Sequence, residues 1–449
     1  MRTAADDRLF RRNLKKAYPT IDRGEGIYLW DTDGRRYIDA AGGALVVSIG
    51  HGVAEVADAV AAQTRRVAFA HGSQFTSEPA EELAARIAAH TPGDANRVYF
   101  VSGGSEATEA AIKLARQVQV ARGQPGRHKV ISRWFSYHGA TLGALAASGL
   151  HARRELYEPL LPAGFPHIGP SYCYRCPWDK TYPDCGLHCA AELERTILAE
   201  GAETVAAFIA EPVVGAALGA VAPPDGYWQQ VREICDRHGV LLIADEVMTC
   251  MGRTGRDFAV DHWGVVPDII AMAKGLSSGY APLGAIAVRE QWHELLRGGP
   301  GAFLHGHTYG MHVPAMAAGL AVLDIIERDG LIERARHMGD VFRERLQVLR
   351  RHACVGDIRG LGLMLGIEFV ADRDTRAPPP AATPRFHARL VERCFAEGLI
   401  VYPGAGSVDG SAGDHILLGP PFIITEAQVA EIADILDGCI EATAGEFFS

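Results

Sequence analysis

At 449 residues, 48% of them hydrophobic, the chain is long enough to bury a large core, and length alone suggests two or three domain-sized units. A formal net charge of -10, with basic residues such as those of Arg11 to Lys16 forming no stripe along one face, excludes nucleic acid and anionic membrane as expected partners. The opening MRTAADDRLF is charged and lacks the apolar core of a secretory leader, and no uninterrupted apolar stretch reaches the roughly 18 residues of a membrane span, so the expected location is the cytoplasm.

Residues 1–60 hold short apolar segments broken by turn signals such as DTDG at Asp31 to Gly34, which predicts a small strand-containing segment packed beside a larger body. From about residue 80 the pattern alternates. RVYFVS, HKVISRW, TVAAFIAEP, VLLIADEV, DIIAMAK and GAIAVR are short β-rich runs, several of them separated by helical patterns such as EATEAAIKLARQVQVARG. That alternation predicts parallel strands with crossover helices, and residues 61–329 are expected to form a large, mostly parallel-sheet domain. A long helical stretch over about 312–350 leads into strand-like GLMLGIEFV, a Pro/Ala-rich run, a helix near 386–397 and the Gly-rich YPGAGSVDGSAGD. Residues 330–449 are expected to form a smaller α+β domain against which residues 1–60 pack. No internal repeat is visible.

In an open α/β sheet, ligands bind where the carboxyl ends of strands meet helix starts. Gly103, Gly104 and Ser105 fall between a strand and a helix, where free backbone N–H groups favour a phosphate; a tight turn with an N-cap serine is the bland alternative. Asp245 and Glu246 end an apolar strand, where a carboxylate suits a protonated pyridine nitrogen, a metal or merely solvent. The next strand delivers Lys274 to the same edge. A lysine enclosed beside apolar residues has a lowered pKa and can form a Schiff base, whereas an ordinary lysine lets its amine reach water.

Taken together, SGGSEATEAAIKLAR, SYHGAT, the EPV at Glu211, DEV followed by GRTG, AMAKG and HTYG make a chain that resembles the class III pyridoxal-phosphate aminotransferases over residues 20 to 430. The resemblance implies the aspartate-aminotransferase-like α/β fold (fold type I) and pyridoxal 5'-phosphate as cofactor. It implies that Lys274 carries the cofactor and shuttles the proton, that Asp245 pairs with the pyridinium, and that Tyr137 and Val247 press on opposite faces of the ring. Gly103, Gly104 and Ser105 then take the phosphate, helped by Thr308 from a second subunit of a homodimer, while His138 and Glu211 support the pocket. The implied reaction is ping-pong transfer of an amino group from an amine or ω-amino acid to a keto acid such as pyruvate. An aminomutase or a decarboxylase of the same family is the nearest alternative; a zinc-binding regulatory protein on a degenerate enzyme scaffold is a remoter one.

The chain departs from many relatives at the positions that bind a substrate carboxylate. Leu417 and Tyr402 stand where an arginine is common, and Ala216 stands where a glutamate neutralises that arginine. Arg153, Arg154 and Arg175 are candidates for a clamp from elsewhere. Cys250 and Met251, and Met311 and His312, also depart from the family pattern and are expected to reshape the pocket. Of the nine cysteines, five are scattered singly, as suits a reducing compartment. Cys173, Cys176, Cys185 and Cys189 cluster, a pattern compatible with structural zinc, a disulfide or free thiols.

Overall fold

Apolar runs too short and too continuous for half-exposed strands call for a sheet covered on both faces, and the middle of the chain supplies one. The computed structural model describes residues 8–448; most of the charged opening, residues 1–7, lies outside the described residues. Strands β1 (Ile21–Glu25), β2 (Tyr28–Asp31) and β3 (Arg36–Asp39) form an antiparallel meander. The large sheet then takes β4 (Arg97–Val101), β5 (Lys129–Arg133), β6 (His167–Ile168), β7 (Val205–Ala210), β8 (Leu241–Asp245), β9 (Ile269–Met272) and β10 (Gly284–Val288), in the spatial order β4-β10-β9-β8-β7-β5-β6. From β9 through β8, β7, β5 and β6 every neighbour is parallel. β10 is the exception, running antiparallel to both β4 and β9.

Strands β7 to β10 are buried along their whole length. One face packs on the helix Gly104–Ala121, whose Ala107, Ala111, Leu114 and Val118 meet Ile209, Ile243 and Ile286. On the other face the helices His188–Glu200 and Tyr227–His238 cover Phe208 and Leu242 with Leu193, Trp228 and Val231. Each strand therefore splits its side chains between two apolar layers, which accounts for runs such as VAAFIA.

The last third holds β11 (Val355–Leu361), β12 (Met364–Phe369), β13 (Leu399–Ile400), β14 (Tyr402–Ala405) and β15 (Asp414–Leu418). β11, β12, β15 and β14 make a four-stranded antiparallel sheet, whereas β13 joins β3 in parallel and so ties the two ends of the chain together. The helical stretch expected over 312–350 is two α-helices, Val313–Arg328 and Leu331–Leu346, followed by a short 3-10 turn. The break is Gly330, at φ +59°, a left-handed conformation that glycine adopts without steric cost. Among the described residues no helix is long and apolar enough to cross a membrane.

One buried cation holds these parts in register. Arg253, 2% exposed, donates to the carbonyls of Leu363 (3.1 Å), Pro420 (2.7 Å) and Val47 (3.0 Å), and its guanidinium sits 4.7 Å over the Phe422 ring. Arg253→Met is expected to lower the unfolding free energy by about 3 kcal/mol or more, because three buried carbonyls lose their donor. Arg253→Lys should recover only part of it, since an ammonium cannot span three acceptors as a planar fork does. Chemical denaturation of both variants is the check, and wild-type midpoints would remove Arg253 from this role.

Candidate functional site

β4 points the same way as β9, because both are antiparallel to β10. The carboxyl ends of β4, β5, β7, β8 and β9 therefore open on one edge, where polar residues escape the two apolar layers. There the structure closes a cavity of about 180 Å³. Gly104 and Ser105 come from the turn after β4, Tyr137 and His138 from the loop after β5, and Glu211 from the residue after β7. Asp245 is the last residue of β8, Val247 follows it, and Lys274 lies two residues beyond β9. Gly103 adjoins this group as the residue capping the helix Gly104–Ala121. Thr308 is exposed and outside the cavity lining.

Asp245 is 4% exposed, and its two oxygens are held separately. His138 Nδ1 lies 2.6 Å from Oδ2, and the Val247 N–H donates to Oδ1 at 3.1 Å. The other ring nitrogen, Nε2, is buried without a partner among the described residues. Glu211 accepts from the Tyr137 and Gly215 N–H groups, both at 3.0 Å, and burial raises its pKa, with His138 opposing. Lys274 sits at φ +43°, an uncommon conformation for a side-chain-bearing residue. Burial lowers the pKa of its amine against the pull of Asp245 and Glu211. That amine has no hydrogen-bond or ion-pair partner among the described residues.

The glycine turn has a steric cause. A Cβ on Gly104 would stand 2.7 Å from Val247 Cγ1, so the helix start approaches β8 only because position 104 is bare. The N-cap is Gly103 rather than a serine; Ser105 instead accepts from the Ala140 N–H at 3.0 Å. Gly139, Ala216 and Met248 complete the lining. Gly139 follows the SYH motif at φ +141°, and a Cβ there would meet Ser105 Oγ at 2.6 Å.

Other residues singled out in the sequence lie elsewhere. Glu246, adjacent to Asp245, points away from the cavity: it accepts from Thr249 Oγ1 and from the N–H groups of Ala259 (2.9 Å) and Val260 (2.8 Å). Cys250 and Met251 are buried core residues that do not line the cavity; the Cys250 thiol donates to the Ala273 carbonyl at 3.4 Å. Met311 and His312 are likewise outside it. Leu417 packs behind the lining in a cluster with Ala216 and Met248, and Tyr402 flanks that cluster. Arg154 is occupied by the carbonyls of Ala146 (2.6 Å) and Ser148 (2.7 Å), and Arg175 by Glu368. Arg153 lies 4.6 Å over the Tyr137 ring. All nine cysteines are unbridged, and no three of the clustered four bring their sulfurs within 4.8 Å of one another.

Known proteins match this chain over nearly its whole length. The family described as Aminotransferase class-III matches residues 10–440. The putrescine–pyruvate aminotransferase of Pseudomonas aeruginosa is 36% identical over 97% of this chain and 93% of its own length. Among solved structures, a thermostable (S)-enantioselective ω-transaminase from Thermomicrobium roseum is 38% identical with a TM-score of 0.89, covering 99% of this chain and 97% of its own. The ω-transaminase from Pseudomonas jessenii in complex with PMP is 34% identical with a TM-score of 0.88, covering 96% and 94%.

Burial pushes the Glu246 carboxyl up to about 7. The folded chain therefore keeps a proton that the unfolded chain has released between pH 4.5 and 7, and this group makes the fold less stable as pH rises through that window. Glu246→Gln has no proton to lose and is expected to flatten the fall by about 3 kcal/mol. Unfolding free energies of both proteins at pH 5 and pH 8 read the difference; parallel pH profiles would contradict it.

Proposed function

We propose that this chain, which belongs to the class III aminotransferases and so to a pyridoxal-phosphate-dependent transferase family, moves an amino group from an amine or ω-amino acid to a keto acid such as pyruvate. The observation that carries the donor class is the apolar side of the cavity. Ala216 and Met248 line it, Leu45, Met364 and Leu417 pack behind them, and no arginine among the described residues contributes to the lining. The far carboxylate of a dicarboxylic donor such as glutamate would lose its hydration against this apolar side with no arginine in return. An amine, or an ω-amino acid whose carboxylate lies farther out, meets no such penalty.

The residues present fit the cofactor. The start of the helix Gly104–Ala121 offers unpaired N–H groups to a phosphate, with no side chain on Gly103 or Gly104 to block the approach. At the other side Asp245 is a buried carboxylate with only His138 and one N–H for company, suited to a protonated ring nitrogen. Between them the Lys274 amine stands unpartnered, its pKa lowered by burial. In this proposal Tyr137 and Val247 enclose the ring from opposite faces, His138 and Glu211 steady the pocket, and Gly103, Gly104 and Ser105 hold the phosphate.

Bound pyridoxal phosphate supplies a ring that accepts the electron pair left when the donor carbon loses its proton. The protein's part is positioning and proton transfer. Lys274 Nζ takes the proton from the donor carbon and later returns one. Asp245 holds a negative charge where positive charge must persist, and the His138 contact keeps that carboxylate oriented. Tyr137 and Val247 exclude water from the faces of the site. Thr308 is assigned to a second subunit's site in a homodimer. Its segment carries exposed apolar residues, Leu304 at 80% and Tyr309 at 62%, and Tyr309 packs edge-on against exposed Phe69, an apolar surface suited to a partner.

Lys274→Ala is expected to lose the absorbance of the lysine-bound cofactor and to lower turnover by at least about a thousandfold while the protein stays folded. In the loaded wild-type enzyme, an amine or ω-amino acid should bleach that absorbance in a single half-reaction, and pyruvate should restore it. Glutamate bleaching it as readily as a simple amine would overturn the donor assignment.

A further inference from the structure

We propose that a second cleft, sharing no residue with the catalytic cavity, binds a free amino acid as a zwitterion, with the carboxylate on Arg175 and Arg376 and the ammonium at Asp179. The cleft measures about 400 Å³, within the roughly 300–1,000 Å³ of small-molecule sites. It forms where the cysteine-rich loop, the turn before the Pro/Ala-rich run and the Gly-rich loop after β14 converge beside Phe135, which lies on the loop after β5. Phe135, Tyr172 and Val408 supply apolar wall.

The charges of the cleft are the argument. Behind it, Glu368 is fully buried and accepts from Arg175, from Arg359 at 2.8 Å and from the Tyr172 hydroxyl, while Arg359 also pairs with Asp357 at 3.0 Å. Three guanidinium groups, with Arg350 joining at 3.6 Å from Asp357, thus face the two carboxylates of that network. Arg376 lies outside it. Among the described residues its side chain contacts only the Tyr174 carbonyl and, at 5.1 Å, the Tyr174 ring, and it has no carboxylate partner there. Asp179 lines the same cleft, and among the described residues it has no ion-pair partner within 4.0 Å either. A cation and an anion on one small cleft, kept apart instead of paired, match the two ends of an amino acid better than they match a simple anion.

Two further observations favour a ligand. Arg175 Nη2 is buried without an acceptor, and Ser407, 2% exposed and lining the cleft, has a hydroxyl with no partner. Unfilled polar groups of this kind are costly unless something completes them. The two charged residues that stand unpaired also adopt left-handed backbone, Asp179 at φ +52° and Arg376 at φ +57°, a conformation that non-glycine residues rarely adopt.

L-Proline tests the proposal on the pyridoxal-phosphate-loaded enzyme, because it is a zwitterion whose secondary amine cannot be transaminated. Titration calorimetry is expected to show saturable binding, weakened about tenfold or more in both Arg376→Gln and Asp179→Asn, each removing one charge-assisted contact. Acetate and inorganic phosphate should bind more weakly than proline, and amine–pyruvate turnover should be unchanged in both variants, so this result is independent of the proposed reaction. Three outcomes would overturn it: no saturable binding of proline, binding that neither variant alters, or acetate and phosphate binding as well as proline with no effect of Asp179→Asn. The last would make the cleft an anion site only.

Discussion

A sheet covered on both faces leaves only its ends for polar chemistry, and this constraint organises the molecule. β7, β9 and β8 up to Ala244 are apolar because helices lie over both of their faces. The first residue able to meet a polar ligand is therefore the one at which each strand stops being covered. Glu211, Asp245 and Lys274 stand at those points on three neighbouring strands. Their closeness follows from parallel pairing, since parallel neighbours present the same end to the same edge. The antiparallel β10 returns the chain without adding a residue to that edge, and β4 beyond it points the right way again to deliver the glycine turn.

The same logic explains how much of the site was legible in the sequence. An apolar run followed at once by a carboxylate or an amine singled out Asp245 and Lys274 without knowledge of strand order, each weakly by itself, whereas Glu211 came from the family resemblance. The glycines at 103 and 104 were legible as a turn, but the reason for the bare position at 104 is the approach of Val247, a contact across 143 positions that no local pattern contains. Gly139 carried a usable signal in following an aromatic–histidine pair, yet only its close approach to Ser105 explains it. β11 and β14 were missed because VGDIRGL and YPGA hold glycine, charge and proline in place of an apolar run. Their pairing with β12 and β15 overrides the local composition, a reminder that strand propensity measures fit to neighbours.

The pair Asp245 and Glu246 shows where a linear reading stops. Adjacent carboxylates look interchangeable in sequence, but successive residues at a strand end point to opposite sides. Asp245 turns into the cavity and Glu246 turns into the protein, where it caps the turn at Ala259 and Val260. One faces the cavity beside His138, while the other is buried among backbone donors and raised to about 7. Likewise Cys250 and Met251, which depart from the family pattern and were expected to reshape the pocket, are core residues outside its lining.

The buried arginines account for why no guanidinium pairs with the carboxyl groups at that edge. Arg253 takes the carbonyls of Val47, Leu363 and Pro420; Arg127 takes those of Val205 (2.8 Å) and His238 (2.9 Å); Arg154 takes those of Ala146 and Ser148; and Arg133 takes the Glu211 carbonyl with the Ser171 hydroxyl at 3.2 Å. A guanidinium presents several donors in one plane, which suits clustered carbonyls at element ends better than an ammonium does. Because these cations are directed to the backbone, none of them is placed against Asp245 or the Glu211 carboxylate. Those groups are held by N–H donors and by His138, which fix their position. The fold thus spends these cations on backbone carbonyls and leaves the carboxyl groups of Asp245 and Glu211 at the sheet edge without a guanidinium against them.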